Sequence, residues 1–165
     1  MLAGLAWVVV GLMALASMRP GPLVGAFLVV ALTGTLLGLV GLHARQATSY
    51  GELGGAGFVL ALAGGSVMLV GLVLVFLGLG IGSFAQFFGL LMLVMGLVLL
   101  GVATLRTGTL PRWCGMALIV AATALLVLVG YGGNIVFGAV WLGLGYVLWS
   151  GRGEAAQQPF PRNDR

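Results

Sequence analysis

The chain has 165 residues, of which 61% are hydrophobic and 6% charged, and its formal net charge at pH 7 is +4. A soluble domain carries about 25% charged residues, so this composition excludes a water-soluble fold. The basic residues number seven and are all arginine, too few to neutralise a row of phosphates, which argues against nucleic-acid binding. With Cys114 as its one cysteine, the chain has no internal disulfide, and a cysteine-based zinc site is not expected.

Turn-forming residues divide the apolar sequence into six segments, each near the length that crosses a hydrocarbon core of about 30 Å. The sequence therefore predicts an all-α fold, a polytopic membrane bundle of six transmembrane helices. The predicted spans are 2–18, 22–43, 55–80, 84–105, 113–131 and 134–150. Residues 113–150 are barely long enough for two spans, which leaves one long tilted helix as an alternative.

The domain organisation that follows is a bundle over residues 1–150 and a tail over residues 151–165. The tail contains Gln-Gln-Pro and Pro-Arg-Asn-Asp and shows no apolar periodicity. We therefore predict that it is disordered and cytoplasmic.

Glycine recurs every seventh residue through the third and fourth segments. Seven residues are nearly two helical turns, so each set lies along one helix face, where the missing side chain lets another backbone approach closely. We expect these glycines to pack against other helices: Gly57, Gly64, Gly71 and Gly78 in the third segment, and Gly82, Gly89 and Gly96 in the fourth.

The arginines set the predicted orientation. If six helices alternate, six of the seven arginines fall on one side, and an excess of arginine marks the cytoplasmic side of a membrane. Both termini are then cytoplasmic, and we expect a multi-pass protein of a bacterial inner membrane. We also expect four arginines to attract anionic lipid head groups, namely Arg45, Arg106, Arg112 and Arg152.

Mid-membrane positions hold no Asp, Glu, Lys, Arg or His in this assignment. Ion-coupled transporters, proton relays and voltage sensors need such groups, so the pattern argues against these classes. The polar residues within or near the ends of the spans are mainly hydroxyls, which usually bond to a helix carbonyl or to a neighbouring helix. The alternative is a ligand cavity lined by Thr33, Thr35, Ser66 and Gln86.

His43 is the only histidine, at the cytoplasmic end of the second segment. A neutral imidazole could hold a haem or chlorin metal there, but one histidine without a second ligand is more typical of an interfacial residue. We therefore expect no bound cofactor and no metal. No nucleophile motif or phosphate-binding glycine loop accompanies it, and we expect no enzymatic activity.

The stretch Arg106-Thr107-Gly108-Thr109-Leu110-Pro111-Arg112, followed by Gly115, resembles an interhelical turn of uncharacterised bacterial multi-pass membrane proteins. The resemblance implies a helix end at Arg106, a turn at Gly108 and a new helix after Pro111. It implies no activity.

Two functions remain open from the sequence. The preferred one is a non-enzymatic packing subunit, whose partners are membrane lipids and either other membrane subunits or further copies of the chain. The alternative is a carrier or binding component for a small apolar or neutral molecule. A cavity with converging polar groups would favour the alternative.

Overall fold

The structure is a computed structural model that describes residues 1–16, 21–46, 51–108, 111–128 and 132–156, with side chains up to Ser150. These residues form six α-helices, which confirms the all-α prediction. The helices are α1 (Leu2–Leu15), α2 (Pro22–Gln46), α3 (Gly51–Phe76), α4 (Ile81–Thr107), α5 (Arg112–Val127) and α6 (Gly133–Ala156).

Four of these helices are long and apolar enough to cross a membrane: α2, α3, α4 and the Gly133–Ser150 part of α6. The 26 residues of α3 give a length of about 39 Å at 1.5 Å per residue. The 14 residues of α1 and the 16 of α5 give only about 21 Å and 24 Å. The protein therefore has a membrane-protein architecture, with two helices shorter than a typical hydrocarbon core.

Two predicted boundaries are corrected. The alternative of one long helix over residues 113–150 is wrong, because α5 ends at Val127 and α6 begins at Gly133. The predicted tail begins too early, because α6 continues to Ala156. Helical hydrogen bonding does not require apolar side chains, so a helix extends past the end of its apolar segment. Residues 157–165 lie outside the described part of the chain.

The helices form a closed ring. Consecutive helices pack side by side, α1 also packs against α6, and α2 approaches α6. We call the end of the ring that carries Arg45, Arg106 and Arg112 the arginine end. The other end, where α3 turns into α4, is the opposite end. The arginine end contains the last turn of α2 and α4 and the first turn of α3 and α5.

Heptad glycines bring α3 and α4 into direct backbone contact. A methyl group added to Gly71 would lie 2.8 Å from the carbonyl oxygen of Gly82, and one added to Gly89 would lie 2.7 Å from the carbonyl oxygen of Gly64. One added to Gly57 would lie 3.0 Å from the carbonyl oxygen of Gly96. The two glycine stripes therefore face each other in antiparallel register, and any larger side chain would force the backbones apart.

Gly78 does not belong to this interface, which corrects the prediction. It has φ +75° and nothing within 4 Å of an added methyl group. The Gly78 amide donates to the Val75 carbonyl at 2.9 Å, and the Leu79 amide donates to the Leu74 carbonyl at 2.9 Å. This pattern is a Schellman motif, in which glycine supplies the left-handed residue that ends a helix. Gly78 thus serves the turn between α3 and α4.

Two further antiparallel pairs use the same kind of contact. In α1 and α6, methyl groups added to Gly4 and Gly138 would each lie 2.6 Å from the other glycine's carbonyl oxygen. In α4 and α5, Gly101 and Gly115 approach each other in the same way, at 2.8 Å and 2.7 Å. Close glycine contacts therefore join the ring at three interfaces.

Candidate functional site

A central cavity of about 330 Å³ lies inside the ring, in its half nearer the opposite end. All six helices contribute to its wall. The lining residues are Trp7, Leu28, Leu32, Met68, Leu72, Gln86, Leu90, Leu125 and Asn134. This volume is at the lower end of the range for small-molecule sites, which are usually mostly apolar with a few polar groups.

Two carboxamide residues supply most of the cavity's polarity. Gln86 lies in the second turn of α4 and Asn134 in the first turn of α6, both near the opposite end. Both residues are half-buried. Each carboxamide can donate and accept hydrogen bonds, whereas the remaining wall is mainly aliphatic. A ligand would therefore find hydrogen-bonding groups near the rim and apolar surface below them.

Trp7 forms part of the cavity wall, and its indole N–H is already hydrogen-bonded within the protein. Its Nε1–H donates to Thr35 Oγ1 at 3.0 Å, and the Thr35 hydroxyl donates to the Ala31 carbonyl at 2.8 Å. Phe137 packs edge-on against the Trp7 ring, with centroids 5.2 Å apart. These contacts fix the indole, which therefore offers the cavity an apolar ring.

Large buried side chains fill the ring between the cavity and the arginine end. Each is at most 2% exposed: Leu39, Leu42, Leu93, Leu97, Leu100, Leu118, Phe137 and Leu144. Closer to the arginine end, Thr104 Oγ1 lies 3.2 Å from Gln46 Oε1, and both residues are fully buried. The cavity is therefore a pocket that ends on packed side chains.

The structure separates the four residues predicted to line a ligand cavity. Gln86 lines the central cavity, and Thr35 is buried beside it through its bond to Trp7. Thr33 and Ser66 are exposed on the outer surface of the ring, which corrects the prediction. Successive residues on a helix differ by about 100°, so Thr33 and Thr35 point about 200° apart and cannot face one cavity.

Sequence reasoning missed Asn134 and Trp7. Asn134 stands at the start of the sixth predicted span, and a carboxamide in the first turn of a membrane helix is itself a signal of a polar site. Trp7 lies in the middle of α1, away from the interfacial positions where tryptophan is usual in membranes. An indole N–H at that depth requires a partner, which Thr35 provides.

Three of the four arginines expected at lipid head groups are exposed at the arginine end, namely Arg45, Arg106 and Arg112. Arg45 Nη2 donates to the Leu148 carbonyl of α6 at 2.9 Å. Arg152 belongs to α6, but its side chain lies outside the described part of the structure. Trp113 and Trp149 are exposed at the same end, as expected of rings at a head-group interface.

The His43 ring stacks on Phe58 of α3, with centroids 4.0 Å apart and an interplanar angle of 14°. The stacking joins α2 to α3 at the arginine end and covers one face of the imidazole. Among the residues that the structure describes, no group of three or more His, Cys, Asp or Glu side chains could hold a metal ion.

Comparisons with protein-family models, with curated proteins and with solved structures gave no match.

Proposed function

We propose that this protein is a membrane receptor or carrier for a small neutral molecule that has an apolar body and a hydrogen-bonding group. The central cavity is the observation that carries the proposal, because all six helices converge on it and it holds both carboxamides. The glycines at the interface of α3 and α4 pack against each other within the bundle, so they form no surface for a partner. For this reason we prefer a receptor or carrier to the packing subunit that the sequence favours.

The lining residues determine the ligand chemistry. They carry no formal charge, so the cavity has no group to neutralise an ion in a region of low dielectric constant. Gln86 and Asn134 would hold a hydroxyl, carbonyl or amide of the ligand near the rim. Leu32, Leu72 and Leu125 would contact its apolar part. Binding and release involve no covalent chemistry, in keeping with a non-enzymatic protein.

The proposal includes a membrane orientation. We place all six helices across a bacterial inner membrane, with the arginine end and both termini on the cytoplasmic side. The cavity then opens toward the outside. The short helices α1 and α5 require local thinning of the bilayer, which costs a fraction of a kcal/mol per Å of mismatch.

Cysteine labelling tests this orientation. In a Cys114→Ala background, we expect Ser83→Cys to react with a membrane-impermeant maleimide in intact cells. Glu52→Cys should react only after the cells are permeabilised. Both positions are exposed, at opposite ends of the bundle, so accessibility alone does not separate them. Labelling of Glu52→Cys in intact cells would contradict the orientation.

The cavity is tested by what the purified protein retains. We expect organic extraction and mass spectrometry to find a neutral small molecule with the wild type. Its amount should fall at least about fivefold in Gln86→Leu, which removes one polar group, since an unmatched buried hydrogen-bonding group costs about 1–3 kcal/mol. Leu90→Trp, which fills the cavity, should lose the molecule.

The matched controls are Thr33→Val and Ser66→Ala, which alter hydroxyls on the outer surface. They should retain the molecule at the wild-type level. Equal retention by Gln86→Leu, Leu90→Trp and these controls would place the bound molecule elsewhere and contradict the proposed site.

A second function, the packing subunit, is favoured by a shallow apolar depression on the outer side of α3 and α4. It is lined by Gly55, Ala56, Val59, Leu60, Ala63, Met92 and Leu99. Small residues on an exposed helix face suit close helix packing in lipid. This function predicts that the purified protein remains bound to a partner subunit. The Gly55→Leu variant should lose that partner.

A further inference from the structure

A second recess lies near the arginine end, between α2 and α6. It has a volume of about 210 Å³. Its α2 wall contains Gly34, Leu37, Gly38 and Gly41. Its α6 wall includes Trp141 and Trp149, and Met1 and Ala3 border it. We call this recess the α2–α6 groove. It is separate from the central cavity, with which it shares no lining residue.

The two walls of the groove differ, because α2 contributes mainly glycine backbone and α6 contributes tryptophan rings. Gly38 lies against the Trp141 ring, since an added methyl group would reach Trp141 Cζ3 at 2.5 Å. Gly41 faces open space, with nothing within 4 Å of an added methyl group. Ala3 and Trp141 cover Gly34 and Gly38, so the space beside Gly41 is the part of the groove that can accommodate a flexible hydrocarbon chain.

A cation lies at the rim. Arg45 Nη2 donates to the carbonyl of Leu148, and Leu148 itself lines the groove. The guanidinium has five N–H donors, so this bond leaves others for an anion. Arg45 is exposed at the arginine end, and the exposed ring of Trp149 lies beside the same rim. An apolar groove with a cation at its mouth matches an anionic amphiphile in charge and polarity.

The deeper wall contains a polar group that lacks an acceptor. Trp141 is 5% exposed, and its Nε1 is buried without a hydrogen-bond partner among the described residues. A buried N–H without an acceptor is unfavourable. Because this nitrogen is not accessible from the groove, the indole offers the groove only its apolar ring.

We propose that the α2–α6 groove binds one anionic phospholipid, with an acyl chain between Gly41 and Trp141 and the phosphate held by Arg45. The proposal is independent of the proposed function, because neither the ligand nor the lining residues are shared.

The test is native mass spectrometry of the purified protein after exchange into detergent with phosphatidylglycerol or phosphatidylcholine of identical chains. We expect the wild type to retain one phosphatidylglycerol, with about fivefold preference over phosphatidylcholine, which is the effect of one juxtamembrane cation. Gly41→Leu should lose the bound lipid, because Gly41 borders the groove and its added Cβ has no protein atom within 4 Å, so the new side chain can occupy the lipid's space. Arg45→Gln should retain the two lipids equally.

Two matched variants separate a site from general lipid association. Ala26→Leu also enlarges an exposed small residue of α2, outside the groove, and Arg106→Gln removes an exposed arginine from the same end. Both should behave as the wild type does. Retention of phosphatidylglycerol by Gly41→Leu, or equal retention of the two lipids by the wild type, would overturn the proposal. A dimer in the wild type that Gly41→Leu dissociates would show that a second copy fills the groove, which also overturns it.

Discussion

Gly64→Leu is expected to abolish the folded protein. A side chain at Gly64 would meet the backbone of α4 at the Leu93 nitrogen, the Gly89 carbonyl oxygen and the Met92 carbonyl carbon. Backbone atoms of a helix cannot move aside singly, so α3 and α4 would have to separate along their whole interface. Overpacking by a few methylene groups costs about 1–3 kcal/mol, and a leucine between two backbones should exceed this range. The measurement is the yield of monodisperse protein after detergent extraction.

Gly55→Leu is the control for this prediction. It lies in the same helix and introduces the same side chain, but nothing lies within 4 Å of its added methyl group. Alanine exceeds glycine in helix propensity by about 0.8–1 kcal/mol and leucine exceeds it by slightly less, so this variant should melt at or above the wild-type temperature. Gly71→Leu should resemble Gly64→Leu, because Gly71 lies against Gln86 and Gly82. Equal yields of Gly64→Leu and Gly55→Leu would show that the glycine stripes do not pack α3 on α4.

Phe137→Ala is expected to destabilise the protein by about 2–3 kcal/mol. Phe137 is 0% exposed and contacts Trp7 and Trp141 edge-on, with centroids 5.2 Å and 6.1 Å away. Phenylalanine-to-alanine changes in cores cost about 3–5 kcal/mol. The expected value is lower here because moving the ring from lipid into the bundle contributes little free energy. The cost that remains is the loss of the ring's van der Waals contacts. Reversible unfolding in mixed micelles with increasing dodecyl sulfate measures the difference.

Phe84→Ala is the matched control, because Phe84 is 68% exposed near the start of α4. Removing its ring should change the unfolding free energy by less than about 0.5 kcal/mol. If the two alanine variants unfold alike, Phe137 is not packed at the centre of the ring between Trp7 and Trp141.

Several helix ends in the described part of the chain were predictable because they are encoded locally. Pro22 begins α2 and Pro111 immediately precedes α5, which are positions where the missing proline N–H costs nothing. Gly108 ends α4 in a left-handed conformation at φ +64°, as the resemblance to an interhelical turn implied. Gly78 shows the limit of this reasoning, because a heptad position alone does not distinguish an interface glycine from a helix-ending one.

The wall of the central cavity was predictable only in part. Gln86 was identified, but Thr33 and Ser66 face outward, and Asn134 was not considered as a wall residue. In a soluble helix, the polar stripe marks the surface and the apolar stripe marks the core. Helices in lipid are apolar on every face, so a hydroxyl gives little indication of whether it points inward.

By itself, the sequence determined the properties that depend on composition and local geometry: an all-α membrane architecture, six helices, their approximate ends and the glycine face of α3. The tertiary structure alone decided which helices are neighbours and where the ring leaves room for a cavity. It also decided that the stripe of Gly57, Gly64 and Gly71 packs against α4. The physical reason is that lipid tails and the interior of a helix bundle are about equally apolar. Hydropathy therefore does not indicate which face of a helix points inward. The choice rests on side-chain shape and backbone approach, which depend on residues far apart in the chain.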